Sequence, residues 1–274
     1  MSRNACVIRW IAALGGLLLI AAGCAQYSPV VRPTPTGGVM SDELHALTDQ
    51  KIATYLENDV RPRFPTVLAL ARAEEPDSSS TQYRYSRHGE PTLIPLSEAE
   101  SEAWRSALLG PWSDAHSQTL IEQLHVLNPL LASGQLTLKH LRDSAAMVHA
   151  PLLLVYRRDE ASSRGYNDAA AAYWTIIGLF VVTGNTVGHA TNYSALLIDT
   201  RTGAVLAIFE ASELREERTF IGTTDIAADR LRREAREAAH AKLIRRTRDA
   251  IGELALTRGV PAVRPSDAPA STSD

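Results

Sequence analysis

Apolar positions along the chain follow two patterns, one typical of buried strands and one typical of helices. Continuous apolar runs at residues 64–71 and 151–156 predict two buried strands. Apolar positions at helical spacing follow a start signal at three places, so we predict helices that begin at Ser41, Ser97 and Thr137. Residues 119–131 are compatible with a strand around His125 or with a short helix.

The second half of the chain predicts a β-hairpin and a long helix. Two β-prone runs, residues 191–200 and 204–211, flank a short turn. Asp199 can accept hydrogen bonds from the turn amides and Gly203 can adopt a positive φ, with Thr202 just before it. After the hairpin, apolar positions at helical spacing predict a long C-terminal helix over residues 225–257.

The order of these elements indicates the fold class. Helices lie between the early strands, and the hairpin at about 191–211 follows them. This order favours an α/β (α+β) fold with a single mixed β-sheet, closed by the antiparallel hairpin and covered by helices.

The first 23 residues have the organisation of a secretory signal peptide. Arg3 and Arg9 precede an apolar stretch at residues 11–22, which is shorter than the roughly 20 apolar residues of a transmembrane helix. The stretch ends in Ala21, Ala22, Gly23 and Cys24. These four residues resemble a bacterial lipobox, which implies cleavage between Gly23 and Cys24 and lipid attachment at Cys24. A plain signal peptide with an incidental cysteine is the alternative.

The lipobox resemblance also implies a location and a domain organisation. In a Gram-negative bacterium it implies a lipoprotein held by acyl chains at the outer membrane, with its domain facing the periplasm. Residues 24–40 are rich in Pro and Gly and predict a flexible tether. Residues 41–258 would form the periplasmic α/β domain, and residues 259–274 a disordered tail.

Composition and charge exclude several classes of protein. Of the 274 residues, 45% are hydrophobic, and the formal net charge is only −3, which is unlike a disordered chain. The 28 basic residues are outnumbered by 31 acidic ones, so we predict no nucleic-acid partner. Cys6 would be removed with the signal peptide, so the mature chain would keep a single cysteine and no disulfide.

Residue types that serve catalysis or metal binding form no recognisable motif in the sequence. The eight histidines lack metal-ligand spacing and are predicted to be solvated. The acid pairs Asp159-Glu160 and Glu216-Glu217 are predicted to lie in polar loops as surface charge. We therefore predict no enzyme activity, no catalytic residue, no metal and no cofactor. A constellation of residues distant in sequence stays open.

One uncharged segment, residues 169–182, has two possible roles. It can form a core helix or strand, or it can form a patch that contacts the membrane or a partner subunit. The residues that would make such a contact are Tyr173, Trp174, Ile176, Ile177, Leu179 and Phe180. The run lacks the alternation of a transmembrane β-hairpin, so pore formation is not favoured.

The predicted C-terminal helix carries many basic residues, interspersed with acidic ones. Its basic residues are Arg230, Arg232, Arg233, Arg236, Lys242, Arg245, Arg246 and Arg248. They can form a solvated helix face, or they can dock an anionic partner such as phospholipid or an acidic protein.

The strand in AAMVHAPLLLVY and the hairpin in ALLIDTRTGAVLAIFEAS resemble those of known periplasmic domains. The order of elements is similar to that of curli-secretion-channel-type (CsgG-type) lipoproteins, the TolB amino-terminal domain and lipoprotein activators of cell-wall synthases. The strand LLLVYR and the stretch AYWTIIGLFVVTGN resemble, more narrowly, the rhombotarget lipoproteins. These resemblances cover about residues 137–256 well and concern turns and strands rather than chemistry.

These observations predict a non-enzymatic binding or accessory factor in cell-envelope assembly or secretion. Its partners would be the membrane, through the acyl chains, and an envelope protein or further copies of itself. The alternative is an oligomeric, CsgG-like component of a secretion channel.

Overall fold

The structure, a computed structural model, describes residues 48–57, 60–74, 92–112, 119–131, 136–166, 183–257 and 260–261. The signal peptide, Cys24, the tether and nearly all of the tail lie outside the described residues, as do residues 169–182.

The described residues form four α-helices and eight strands. The helices are α1 (Asp49–Glu57), α2 (Glu98–Leu108), α3 (Leu138–Met147) and α4 (Thr224–Thr257). The strands are β1 (Arg63–Phe64), β2 (Thr66–Glu74), β3 (Thr92–Leu93), β4 (Ile121–Val126), β5 (Leu152–Tyr166), β6 (Asn185–Asp199), β7 (Val205–Thr219) and β8 (Val260–Pro261). Short 3-10 turns follow at Pro129–Leu131 and Ile221–Thr223.

Six of these strands form one mixed sheet, as the sequence predicts. The strand order is β3-β2-β5-β6-β7, and β4 also pairs with β2. Strand β2 runs parallel to β4 and β5 and antiparallel to β3. The short strands β1 and β8 form a separate parallel pair. The α+β class, the single mixed sheet and the long C-terminal helix are therefore confirmed.

Both predicted start signals within the described residues cap helices. Ser97 and Glu100 form a reciprocal capping box at α2, in which the Ser97 hydroxyl accepts from the Glu100 amide and the Glu100 carboxylate accepts from the Ser97 amide. Thr137 caps α3 by accepting a hydrogen bond from the amide of His140. Residues 119–131, which the sequence left open, form strand β4 and a 3-10 turn.

The contacts divide the described chain into two units. The larger unit contains the described parts of residues 34–159, 192–211 and 239–274. Its central strands β2 and β5 are buried on both faces, with Leu68 and Leu152 packed with α2 and the second half of α4. Ala69 and Leu153 point to the opposite face, where they pack with α3. Burial on both faces explains why these two strands are continuous apolar runs.

The smaller unit contains the described parts of residues 160–191 and 212–238. It consists of the outer portions of β5, β6 and β7 and the first half of α4. Val187, Ala228 and Leu231 form a small apolar cluster within it. An ion pair between Arg164 and Asp225, with Nη1 2.8 Å from Oδ1, joins β5 to α4.

Three strands are longer than the sequence predicts. Strand β5 continues ten residues beyond Tyr156, and the hairpin strands each extend to 15 residues. The prediction that Asp159-Glu160 and Glu216-Glu217 lie in loops is wrong, because these acid pairs lie within β5 and β7. A pattern of apolar residues does not identify strands that are made of charged residues. In these strands the charges are paired with neighbouring opposite charges, as between Arg157 and Asp159.

The first predicted helix is confirmed only in its second part. Its expected start at Ser41 lies outside the described residues, and α1 is described from Asp49. Ile52 and Leu56, two of its apolar positions, are 44% and 83% exposed. The apolar pattern therefore identified a helix without identifying a buried face.

Candidate functional site

The hairpin turn is the one predicted site that the structure describes. The Asp199 carboxylate accepts hydrogen bonds from the Thr202 amide at 2.7 Å and from the Thr202 hydroxyl at 2.6 Å. Gly203 has a φ of 78°. The Arg142 guanidinium of α3 donates to the carbonyls of Thr200 and Arg201. The turn therefore forms as predicted and is tied to α3, which indicates a structural role.

The other predicted site residues lie outside the described residues. These are Gly23 and Cys24 of the lipobox, and Tyr173, Trp174, Ile176, Ile177, Leu179 and Phe180 of the apolar segment. Lipid attachment and partner contact by these residues stay predictions.

In the larger unit, a group of ionisable and aromatic side chains lies close together, and it is the main candidate site among the described residues. We call it the polar–aromatic cluster, and it comprises Arg72, Glu74, Glu100, Trp104, Tyr156, Arg158, Tyr193 and His240. Its members come from β2, α2, β5, β6 and α4. Sequence analysis missed it, because the topology brings together positions as far apart as residues 72 and 240.

The charged half of the cluster lies at the carboxyl end of β2. Arg72 contacts both Glu74 (Nε–Oε1 2.8 Å) and Glu100 (Nη1–Oε1 3.1 Å). Arg158 of the parallel strand β5 contacts Glu74 as well (Nη2–Oε1 3.1 Å). Two guanidiniums thus balance two carboxylates. This edge of an α/β sheet is also where such folds commonly bind ligands.

The aromatic half packs around a histidine. The His240 ring centroid lies 5.6 Å from that of Trp104 and 5.7 Å from that of Tyr193. Tyr156 stacks at an angle between Trp104 and Tyr193, with centroids 5.7 and 6.1 Å away. Trp104, Tyr156 and Tyr193 are buried.

Burial, hydrogen bonds and neighbouring charges determine the protonation states of the side chains in the cluster. Burial alone raises the pKa of Glu100, but hydrogen bonds from Ser97 and the charge of Arg72 outweigh it and lower the pKa below its ordinary value. Burial lowers the pKa of His240, so this imidazole is neutral at pH 7. Burial likewise raises the pKa of the Tyr156 and Tyr193 hydroxyls. At neutral pH the cluster therefore contains an ionised Glu100 carboxylate beside an uncharged imidazole and two uncharged tyrosine hydroxyls.

Three buried polar atoms of the cluster are unsatisfied within the part of the chain that the structure describes. They are Trp104 Nε1, the Tyr156 hydroxyl and His240 Nε2. Buried polar groups nearly always have partners, and leaving one without a partner costs about 1–3 kcal/mol.

Two histidines depart from the prediction that all are solvated. His240 lies within the polar–aromatic cluster. His189, in the smaller unit, is 3% exposed, and its Nε2 lies 3.8 Å from Glu160 Oε2. Glu160 is held in turn by Arg236 of α4 (Nη2–Oε2 2.7 Å). The remaining described histidines form no metal-ligating group with acidic side chains within the described ranges.

Several basic residues of α4 bind their own chain. Arg230 pairs with Glu217, and Arg236 pairs with Glu160. Arg248 donates to the carbonyls of Ala107 and Trp112 at 2.9 Å, and its guanidinium lies 5.3 Å from the Trp112 ring centroid. These arginines stabilise the packing of α4, which is a role that neither sequence-based alternative included.

No helix among the described residues is both long enough and apolar enough to cross a membrane.

Several solved structures resemble part of this chain, among them the three that follow. The PelC dodecamer from Paraburkholderia phytofirmans is 12% identical with a TM-score of 0.28, covering 68% of this chain and 89% of that one. Lipoprotein GNA1162 from Neisseria meningitidis is 13% identical with a TM-score of 0.27, covering 60% and 93%. Protein XCC0632 from Xanthomonas campestris is 9% identical with a TM-score of 0.31, covering 73% and 93%.

These similarities are weak and concern the fold alone. No protein-family model matches the sequence, and a search of curated proteins gives no significant match. The resemblances to curli-secretion-channel-type, TolB and rhombotarget proteins therefore stay predictions.

Proposed function

We propose that this chain is an outer-membrane lipoprotein whose α+β domain acts in the periplasm as a non-enzymatic binding or accessory factor. The observation that carries the proposal is Cys24, which follows Ala21-Ala22-Gly23 at the end of a signal-like apolar stretch. Two or three acyl chains, at about 0.8 kcal/mol per buried methylene, form an anchor that does not dissociate on its own. The Pro- and Gly-rich residues 25–40 suit a tether between that anchor and the domain.

The charged half of the cluster suits a structural role within the proposed non-enzymatic domain. Arg72 and Arg158 are paired with Glu74 and Glu100, so the four charges stabilise one another. Glu100, with its lowered pKa, stays a carboxylate near neutral pH and is a poor general acid. The domain would bind its envelope partner through Tyr173 and Trp174, the apolar residues that the sequence predicts for such a contact.

Lipid attachment is tested by two matched cysteine variants. Cys24→Ala removes the proposed acceptor, whereas Cys6→Ala changes the only other cysteine, which lies within the signal-like segment. We expect that Cys24→Ala abolishes labelling by a radioactive or clickable palmitate and releases the protein from outer-membrane fractions. Cys6→Ala should be labelled like the wild type. Equal labelling and membrane recovery of Cys24→Ala would overturn the proposal.

The accessory role is separated from the channel alternative by the mass of the lipidated protein. We expect one or two copies per particle when the full chain is extracted in mild detergent and measured by light scattering with detergent correction. A discrete ring of many copies would instead favour the secretion-channel alternative.

A further inference from the structure

Helix α1 has an apolar face that the rest of the chain leaves exposed. Ile52 and Leu56 are 44% and 83% exposed, and Tyr55 beside them is half-buried. Their spacing of i, i+3 and i+4 sets the three side chains on one side of the helix. None of the three packs into the apolar clusters of the described residues. Exposed apolar side chains that share one face mark a contact surface, whereas single ones do not.

The opposite side of α1 is polar. Gln50 and Thr54 are exposed, and the Thr54 hydroxyl donates to the Gln50 carbonyl at 2.9 Å within the helix. Asp49 and Glu57 are exposed at the two ends of the helix. Helix α1 is therefore amphipathic, and solvent suits one of its faces but not the other.

The position of α1 in the chain indicates what its apolar face can reach. Asp49 lies 25 residues after Cys24, the proposed site of lipid attachment. A chain of this length spans at most about 90 Å, and about 25–30 Å on average as a flexible coil. Lipid attachment would therefore hold the membrane near α1 at an effective concentration on the order of millimolar.

The composition of α1 favours a lipid surface without net charge. Its nine residues, Asp49–Glu57, include two acidic residues and one basic residue, so α1 has no basic excess to attract anionic lipids. Apolar burial would supply the attraction instead, and tyrosine is a residue type that favours membrane interfaces.

We propose that α1 lies in the membrane interface, with Ile52, Tyr55 and Leu56 in contact with zwitterionic phospholipids. This inference rests on the proposed lipid attachment at Cys24, because a single turn of apolar side chains binds a membrane only weakly by itself.

Spin labels on the two sides of α1 test this contact in the lipidated full chain, reconstituted in phosphatidylcholine vesicles. Leu56→Cys labels the apolar face, and Thr54→Cys on the polar face is the matched control. With Cys6 removed and Cys24 acylated, the introduced cysteine is the one thiol that takes the label. Lipid concentrates oxygen and excludes a water-soluble nickel chelate. We expect the ratio of oxygen to nickel accessibility at position 56 to exceed that at position 54 at least about threefold.

A second pair of variants tests whether the apolar face itself makes the contact. With the label on Ile52→Cys, the further change Leu56→Glu sets a charge on the apolar face and should lower the oxygen-to-nickel ratio at least about threefold. Thr54→Glu sets the same charge on the polar face and should leave the ratio unchanged. Equal losses from both substitutions would contradict a contact made by one face.

Flotation of the vesicles separates this inference from the proposed anchor. Protein that floats while positions 54 and 56 are equally open to nickel would overturn the contact of α1 and leave lipid attachment intact. Protein that does not float would overturn both. A label at position 56 that is shielded from oxygen and nickel alike would indicate a protein contact, with a second copy or with the domain, and would also overturn the inference.

Discussion

At the scale of single residues, Gly203 shows how a turn depends on one backbone conformation. Its φ of 78° lies in the left-handed region, which L side chains disfavour by about 1–2 kcal/mol. A Cβ at this position would also lie 2.6 Å from Nη1 of Arg142, so the guanidinium that ties the turn to α3 would have to move.

We expect that Gly203→Ala lowers the free energy of unfolding by about 1–2 kcal/mol. Gly222→Ala is the control, because a Cβ there meets nothing within 4 Å and no positive φ is involved. Urea denaturation of both variants measures the difference. Equal stability of the two would show that the turn conformation is not a determinant of the fold.

The lowered pKa of His240 makes the free energy of unfolding of the domain depend on pH. Burial among Trp104, Tyr156 and Tyr193, with the charges of Arg72 and Arg158 nearby, lowers its pKa, although Glu100 acts in the opposite direction. Above about pH 6.5 the imidazole is neutral in both the folded and the unfolded chain. Below that pH the unfolded chain takes up the proton more readily, so the free energy of unfolding falls until the folded-state pKa is reached.

We expect His240→Phe to reduce the loss of stability between pH 6.5 and 5, because the variant keeps an aromatic ring and removes the titrating group. Thermal unfolding midpoints across this range measure the change. A variant with the same pH dependence as the wild type would show that His240 does not contribute to it.

The sequence contained little information about the cluster around His240. Arg72 and Tyr156 sit in or beside apolar runs, where the pattern identifies burial but not partners. Their contacts depend on the parallel pairing of β2 with β5, which sets Arg72 opposite Tyr156. The turn residues Asp199, Thr202 and Gly203 were predictable because their interactions are local in sequence.

At the scale of elements, helix α2 combines a local signal with a tertiary contact. Glu100 completes the capping box with Ser97 and also accepts hydrogen bonds from Arg72 of β2. The same carboxylate therefore stabilises the start of the helix and fixes the helix to the sheet.

We expect Ser97→Ala to lower the free energy of unfolding by about 1 kcal/mol, because the amide of Glu100 loses its side-chain acceptor. Ser106→Ala, an exposed change within the same helix, is the control. Chemical denaturation compares the two. A larger effect at Ser106 would contradict the importance of the cap.

The elements differ in how far the sequence predicted them. Strand β2 and the start of β5 were evident because both faces are buried and the runs are apolar. The outer halves of β5 and β7 were not, because their residues are charged and are stabilised by ion pairs such as Arg230–Glu217. Strand β4 was ambiguous in sequence, and its parallel pairing with β2 decides its conformation.

At the scale of the whole molecule, the proposal combines an N-terminal lipid anchor, a tether and an α+β domain. The domain is described in two units, of which the larger contains the polar–aromatic cluster and the smaller contains the outer half of β7.

The most direct test of the proposed lipoprotein is the intact mass of its N-terminal peptide after purification from a Gram-negative envelope. We predict a peptide that begins at Cys24 and carries the added mass of a diacylglyceryl group and an amide-linked acyl chain. A peptide that retains residues before Cys24, or one that begins at or after Cys24 with no lipid, would contradict the account.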